Sequence, residues 1–298
     1  MAASIQESFA ITSCNCVAFR LDDIQNYFLN NAQVEIINTF QKNNANLTVG
    51  VIGNYFGEDP VITNFLKERL ENGTPKIEIA NHGWNHENFS EYDKAQQHVL
   101  ILKTNEKISS MLGVMPIGFI TPFNALNDDT LSALKENKMV YISANKTADP
   151  PPYALSNTEL YRLPSVAYVG NFNNDDTDWV TKTHKQTHVQ ILDGLLNYGY
   201  AIVTMHPQDF VKRDKLSYSN EVDWNQIHEL ELLIDAIRND GLKIVTISDI
   251  PQHANVHQKT PEWIKTIFDW YEDDKISADE VLNAIKYLKE KKILQLDI

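Results

Sequence analysis

The chain has 298 residues, 43% of them hydrophobic and 22% charged, a composition typical of a globular protein with a sizeable core. Its 40 acidic residues outnumber 26 lysines and arginines and give a net charge of -14, which argues against nucleic acid as a partner. The sequence contains no apolar run of about 18 residues, so it predicts no transmembrane segment.

Short apolar segments alternate with helical patterns along most of the chain. The predicted strands are Asn15–Leu21, Leu47–Ile52, Lys76–Ala80, Ile117–Thr121, Met139–Ser143, Tyr200–Met205 and Leu242–Ile247. The predicted helices are Ile24–Gln41, Pro60–Glu71, Glu91–Leu112, Thr183–Leu196 and Asn225–Asn239. This alternation predicts an α/β fold with a mainly parallel sheet, and about seven such units favour a barrel over a short open sheet.

The alternation is interrupted twice. Residues 145–174 lack a clear period, and one further strand is predicted there, at Tyr161–Tyr168. Beyond residue 250 a polar stretch predicts a linker, and the capping-box pattern Ser277–Glu280 opens the second helix of a hairpin. The predicted organisation is therefore a barrel over residues 1–250, a linker over 251–260 and a helical hairpin over 261–298. The hairpin is too small to be stable alone, so we expect it to pack on the barrel.

The two cysteines and the first residues bear on the compartment. Cys14 and Cys16 are two apart, and on a strand they would point to opposite faces, so we expect no disulfide between them. Residues 1–11 lack a basic region followed by an apolar stretch, so no signal peptide is predicted. The protein is expected to be either cytoplasmic or exported with its leader removed.

Polar clusters follow four of the predicted strands, at 22–23, 81–86, 121–124 and 206. In parallel α/β folds, functional residues gather at the carboxyl ends of the strands. One carboxylate and two imidazoles form a three-ligand set for a divalent metal, with a position left open for water. A second carboxylate can serve as general base and a further histidine as general acid. The sequence therefore predicts Asp23, His82 and His86 as metal ligands, Asp22 as the base and His206 as the acid.

These segments resemble the NodB-homology polysaccharide deacetylases, which form carbohydrate esterase family four. The family's first motif matches residues 19–23, and its second matches His82–His86, with Gly83 at the position of the usual hydroxyl residue. Its last motif matches residues 204–206. The resemblance covers residues 14–250 and implies a distorted (β/α)7 barrel. It also implies a hydrolase that uses one divalent metal, zinc being favoured, to remove N-acetyl groups from an amino sugar or polysaccharide.

The chain departs from the family pattern at two motifs. Ile120 stands where the third motif has an arginine, and Arg20 is predicted to supply the missing cation because positions 20 and 22 share a face of the strand. Arg162 is a second candidate for that cation. The fourth motif, an Asp near a Trp that tunes the acid histidine, matches either Asp178-Trp179 or Asp223-Trp224, and we favour the first. These departures favour a divergent branch of the family.

The expected partner is an N-acetylated glycan or a small amide. Candidate substrate contacts are Trp84, inside the ligand loop, and Pro122, Phe123 and Asn124 after the fourth strand. The tail after residue 261 resembles a short helical repeat of archaeal extracytoplasmic proteins, which favours an extracytoplasmic location. Two other functions stay open at this point. The missing arginine motivates a catalytically inactive, glycan-binding relative, and two histidines with one carboxylate are also the ligands of non-haem iron oxygenases.

Overall fold

The structure, a computed structural model, describes residues 10–151, 153–156, 158–173, 178–214, 217–258 and 262–294. Its helices are α1 (Asn30–Lys42), α2 (Pro60–Asn72), α3 (Lys94–Leu112), α4 (Asp128–Glu136), α5 (His184–Tyr198), α6 (Trp224–Asn239), α7 (Glu262–Glu272) and α8 (Ala278–Glu290). Its strands are β1 (Ala10–Ser13), β2 (Cys16–Ile24), β3 (Leu47–Val51), β4 (Ile77–Asn81), β5 (Gly118–Ile120), β6 (Tyr141–Ser143), β7 (Tyr161–Arg162), β8 (Ala167–Tyr168), β9 (Gly170–Phe172), β10 (Trp179–Thr181), β11 (Tyr200–Met205), β12 (Val211–Asp214), β13 (Ser217–Val222), β14 (Lys243–Val245) and β15 (Asn255–Gln258).

A parallel sheet of nine strands forms the centre of the molecule. Its order is β7-β6-β5-β4-β3-β2-β11-β8, and β14 also pairs with β2. Strands β3, β4 and β11 are buried along their whole length. A parallel strand covered on both faces is apolar almost throughout, which explains why these strands were evident as continuous apolar runs in the sequence.

The strand predicted at Tyr161–Tyr168 joins the two edges of this sheet. Its first part, β7, pairs with β6, and its last part, β8, pairs with β11. Between them, Leu163 N donates to Ile142 O at 2.9 Å and Val166 N donates to Ile202 O at 3.0 Å. A single segment therefore pairs with both edges and closes the sheet into the distorted barrel, so the predicted fold class is confirmed.

Several elements outside the regular βα units were not predicted. Three antiparallel pairs, β1–β15, β9–β10 and β12–β13, join short segments with weak apolar patterns. Helix α4 was also missed. The predicted helix Ile24–Gln41 begins only at Asn30, because β2 continues to Ile24 and the chain then turns through Tyr27 and Leu29, both with positive φ.

The expectation of no disulfide between Cys14 and Cys16 was wrong. The two residues form a disulfide, with their Cα atoms 5.2 Å apart. They do not share one strand, because β1 ends at Ser13 and β2 begins at Cys16. Asn15 between them has a φ of 46°, and this turn brings both side chains to the same side.

The C-terminal hairpin packs on the barrel. Its apolar residues Ile264, Phe268, Val281, Ile285 and Leu288 are buried in the same hydrophobic cluster as the barrel helices. The range predicted as a linker contains β15, which pairs with β1. Among the described helices, none combines the length and apolar composition needed to cross a bilayer.

Candidate active site

The three predicted metal ligands meet at one end of the barrel. Asp23 lies near the end of β2, His82 directly follows β4, and His86 lies in the loop after it. The Nε2 atoms of both histidines are 3.3 Å from Asp23 Oδ1. One ligand atom from each residue lies within 4.8 Å of the others, a spacing that suits a shared cation. Asp23 and His86 both have positive φ, at 64° and 60°, and these turns aim the side chains at each other.

The protonation states of this triad suit a cation. His82 Nδ1 lies 2.9 Å from the carbonyl oxygen of Ile120, to which it donates, so Nε2 is the ring nitrogen that faces Asp23. Burial, together with the charge of His82, lowers the pKa of His86 to about 4. Burial would raise the pKa of Asp23, but the hydrogen bond from His82 and the surrounding histidines bring it well below its ordinary value. At neutral pH the site therefore offers an ionised carboxylate and a neutral imidazole.

Glu87 supports the loop that carries His86. Its Oε2 accepts the backbone N–H of Trp84 at 2.9 Å. A Cβ added at Gly83 would lie only 3.0 Å from that oxygen, so the carboxylate fills the space beside Gly83. Gly83 is the position at which the resembled family has a hydroxyl residue. The sequence analysis missed Glu87, whose signal was its place directly after the ligand motif.

Arg20 and Asp22 form a buried ion pair next to the triad. Arg20 Nη2 is 3.1 Å from Asp22 Oδ2, and each side chain is only 2% exposed. Arg20 Nη1 reaches across the barrel to β6, where it donates to the Ser143 carbonyl oxygen at 2.8 Å and hydroxyl at 2.9 Å. The other oxygen of Asp22, Oδ1, has no hydrogen-bond partner among the described residues. One carboxylate oxygen is thus held by the guanidinium while the other stays available.

The second candidate for the missing cation lies elsewhere. Arg162 pairs with the buried Asp149 and lies over the ring of Tyr153, 4.1 Å from its centroid. Of the two arginines considered, the structure brings only Arg20 to Asp22.

His206, the predicted acid, lies opposite the triad. It directly follows β11, and its Nε2 is 3.9 Å from Asp22 Oδ2. On its other side, Nδ1 is 3.7 Å from Oδ2 of Asp209, which is fully buried and accepts the backbone N–H of His206 at 2.7 Å. Burial would lower the pKa of His206, but the nearby carboxylate of Asp209, with the charges of Asp23 and Asp22, raises it to about 9. The imidazole is therefore protonated at neutral pH.

The carboxylate beside His206 belongs to Asp209, a residue that the sequence analysis missed. Trp179 Nε1 donates to Asp209 Oδ1 at 2.7 Å, and its ring packs edge-on against the imidazole with centroids 5.5 Å apart. Asp178 instead accepts the backbone N–H of Trp179 at 2.8 Å, and Asp223 caps α6. The signal for Asp209 was its position three residues after the histidine, the spacing of a capping interaction.

Gly170 makes room for this arrangement. A Cβ at position 170 would lie 2.1 Å from Asp209 Oδ1 and 2.5 Å from Trp179 Nε1. Real side-chain atoms do not approach so closely, so only glycine allows β9 to pass beside the Trp179–Asp209 hydrogen bond.

A cavity of about 1350 Å³ joins these groups. Its described lining contains the triad, Arg20, Asp22 and His206, together with Trp179 and the predicted substrate contacts Phe123 and Asn124. Trp84 and Pro122 are not part of that described lining. Trp84 packs away from the cavity, with Lys103 Nζ 3.7 Å from its ring centroid, and Pro122 is buried. Phe123, by contrast, is 66% exposed and its ring lies 4.5 Å from that of His86.

The first half of the barrel is similar to known sequences. Residues 10–142 match the family model described as polysaccharide deacetylase. The peptidoglycan deacetylase-like protein FGM2 of Gibberella zeae is 32% identical over 78 residues, which make up 26% of this chain and 23% of that protein. The matched region therefore spans less than a quarter of the length of this curated relative.

Solved structures share the fold at low sequence identity. A family 4 acetyl xylan esterase from Clostridium thermocellum, in complex with a cobalt ion, has a TM-score of 0.53 at 15% identity over 78% of this chain and 89% of that one. A family 4 carbohydrate esterase from Streptomyces lividans, in complex with acetate, has a TM-score of 0.52 at 16% identity over 82% and 97%. A CE4 family pseudoenzyme from Bacillus anthracis has a TM-score of 0.53 at 14% identity over 80% and 65%. Residues 10–142 are therefore similar to the polysaccharide deacetylase family, and the barrel shares the fold of the family 4 carbohydrate esterases.

Proposed function

We propose that this protein is a metal-dependent hydrolase that removes N-acetyl groups from an amino sugar or polysaccharide. The observation that carries the proposal is the meeting, in one cavity, of an Asp-His-His triad with a separate acid and base. Asp23, His82 and His86 form the triad, Asp22 is the base, and His206 is the acid. The base and the acid have different neighbours, because Arg20 contacts Asp22 and Asp209 lies beside His206.

The triad fits a divalent metal. Two imidazole nitrogens and one carboxylate oxygen are ligands that zinc accepts, and three protein ligands leave a position open. Zinc is favoured, and other divalent ions suit the same donors. When bound, such an ion would lower the pKa of a water ligand and polarise the acyl carbonyl. The chain's own contribution is to hold His82 by the Ile120 carbonyl and to keep Asp23 ionised.

Asp22 is proposed to take the proton from the attacking water. Its Oδ1 is buried without a partner among the described residues, and Asp22 is part of the cavity lining, so this oxygen is the one free to accept that proton. Arg20 neutralises the buried carboxylate through Oδ2 and holds it in place. This is the role for which the resembled family uses the arginine of its third motif, where this chain has Ile120.

His206 is proposed to protonate the leaving nitrogen. Its raised pKa keeps the imidazole charged at neutral pH, as a general acid requires. The carboxylate of Asp209 lies 3.7 Å from His206 Nδ1 and accepts the backbone N–H of His206, and Trp179 in turn donates to Asp209. The charged ring can also stabilise negative charge that develops on the carbonyl oxygen.

The proposed substrate is an N-acetylated glycan, with a small amide as the narrower possibility. Phe123 presents an exposed ring beside His86, and aromatic rings stack well on the apolar faces of sugars. The net charge of -14 suits a neutral or cationic substrate better than an anionic one. Relatives named for peptidoglycan and acetyl xylan support the general class of acetylated glycans.

The experiment is acetate release from a panel of N-acetylated and O-acetylated oligosaccharides, with the protein loaded with zinc, loaded with cobalt, or treated with a chelator. We expect release from an N-acetylated substrate that the chelator abolishes and added metal restores. Absence of metal-dependent release across the panel, from folded protein shown to bind zinc, would overturn the proposal. It would favour the alternative of an inactive glycan-binding relative, which the substitution by Ile120 motivates.

A further inference from the structure

The cavity extends from the triad to the C-terminal hairpin. At about 1350 Å³ it exceeds the roughly 300–1,000 Å³ typical of pockets for small ligands. Its lining includes Tyr271, Lys275 and Ile276, which lie at the end of α7 and in the turn before α8. The hairpin lies outside the matched region, residues 10–142.

The hairpin is held firmly enough to serve as a wall. Lys185 on α5 pairs with Asp279 at 2.7 Å, and Lys289 on α8 pairs with Asp240, the residue after α6, at 2.9 Å. Within the turn, Lys275 N donates to Trp270 O at 2.8 Å. Because both helices also bury apolar side chains in the barrel's cluster, the turn has a defined position relative to the cavity.

The chemistry of this end of the cavity suits neutral sugars. Tyr168 and Tyr271 supply aromatic rings, and Gln186 and Gln190 supply amides that can pair with hydroxyl groups. The charged side chains at this end have both signs, as Glu272 and Lys275 illustrate. A polar ligand without strong net charge is therefore the best match for this surface.

We propose that the turn between α7 and α8, residues 273–277, forms a distal subsite that binds further sugar units of an acetylated glycan chain. The inference rests on the proposed function for the identity of the bound chain. It adds that the protein favours oligosaccharides over a single acetylated sugar, and that the hairpin determines this preference. The hairpin is thus part of the substrate cleft.

The test narrows the distal end of the cavity while leaving the triad untouched. In Lys275→Trp, a large ring replaces an exposed side chain of the cavity lining. Its matched control is Lys286→Trp, at an exposed position of α8 that is not part of the described lining. For both variants and the parent, kcat/KM is measured on N-acetylglucosamine oligomers of one to six units. We expect Lys275→Trp to lower the ratio of kcat/KM on long oligomers to that on short ones about tenfold, and the control to leave it unchanged.

Calorimetric affinity for the same oligomers separates this inference from the proposed function. If no oligomer is turned over but affinity rises with length, and Lys275→Trp removes that rise, the distal subsite stands while the hydrolase proposal fails. If oligomers are turned over but Lys275→Trp leaves the ratio unchanged, the subsite is overturned while the hydrolase stands. Absence of both binding and turnover would overturn the subsite as well.

Discussion

The two walls of the cleft are built in different ways. The ligand wall consists of residues 20–23, 82–87 and 119–124, which end or follow strands β2, β4 and β5 of the parallel sheet. The acid wall consists of residues 165–173, 178–182, 204–210 and 271–280, drawn from strands β8 to β10, the end of β11 and the C-terminal helices. In the first, regular parallel pairing brings the functional side chains together. In the second, their positions depend on contacts between segments that lie far apart in the chain.

Because the two walls are built differently, mutations in them should have different effects on activity and folding. A change in the ligand wall acts directly on a metal ligand or on the base, so it should affect chemistry much more than folding. A change in the acid wall acts through the contacts that orient His206 or place the hairpin, so its effects should be smaller and more dependent on pH. The following predictions test that contrast.

The largest effect is expected for His82→Ala in the ligand wall. Loss of one of three ligands should remove most metal binding and lower kcat/KM on the order of 10⁴-fold or more. Metal content after dialysis, measured by mass spectrometry, should fall together with activity. His98→Ala, which changes a partly exposed histidine outside the described cavity lining, serves as the control and should retain its metal. A His82→Ala protein with full metal content would contradict the assignment of the triad.

Asp22→Asn should lower kcat by roughly 10³-fold, within the range typical for loss of a general base. Because Asp22 is not one of the three triad residues, the variant should still bind the metal. Metal titration and acetate release, measured on one preparation, check the two parts. Loss of metal together with activity would show that Asp22 is a ligand and not the base.

Arg20→Met should lower kcat/KM by roughly 10–100-fold, the range seen when a group that orients a reacting residue is lost. It should also lower the free energy of unfolding by about 3–5 kcal/mol, because Asp22 is left buried without its partner. Arg20→Lys should recover part of both losses, since it keeps the charge but not the planar fork. A folded Arg20→Met protein with unchanged kcat/KM would remove Arg20 from the proposed mechanism.

In the acid wall, Asp209→Asn should change the pH dependence of kcat. The pKa of His206 is raised to about 9, so the protonated acid persists through neutral pH and the rate should fall only as pH rises through that value. Without the Asp209 carboxylate, the alkaline fall should move toward the ordinary histidine pKa, with kcat at pH 8 lowered about tenfold. An unchanged alkaline limb in Asp209→Asn would argue that His206 is not the acid.

The smallest effect is expected where the hairpin docks. Burial would raise the pKa of Asp240, but hydrogen bonds from His188 and Lys289 hold it below its ordinary value. The resulting stabilisation is present above the unfolded pKa and is lost as pH falls through the folded one. Asp240→Asn should therefore cost about 1 kcal/mol at neutral pH and less near about pH 3. Asp235→Asn, an exposed change on α6, should cost nothing measurable in urea unfolding.

The ligand wall could be predicted because its residues lie at the ends of strands or directly after them. Once β2 and β4 were assigned from their apolar runs, the carboxyl ends of parallel strands placed Asp23 near His82. Arg20 was predicted beside Asp22 by the two-residue period of a strand, and the structure brings the two side chains together. A barrel also followed from the alternation of elements, and the distorted (β/α)7 class that the family resemblance implied is confirmed by the closed sheet.

The acid wall could not be predicted to the same depth. Asp209 contacts Trp179, which lies 30 residues earlier in the chain and belongs to the β9–β10 strand pair. The strands of that pair are only three residues long and lack an apolar pattern. Asp178 was favoured over Asp223 because Asp223-Trp224 is typical of a helix start, but the carboxylate of Asp178 accepts the backbone N–H of Trp179 and not a contact from His206. The position of the C-terminal hairpin likewise depends on two long-range ion pairs, one with Lys185 on α5 and one with Asp240 after α6.

The position of β2 has a consequence for how the chain reaches its native state. One of its edges pairs with β11 from Cys16 to Leu21, and its first residues also pair with β14. Residues 200–245 must therefore be synthesised before β2 can pair with β11 and β14. Until then the apolar edge of β2 is open to association with other chains. Because these pairs join residues far apart in the chain, we expect folding to be slow. We also expect a fragment that ends at residue 142 to aggregate, although it contains the whole region matched by the family model.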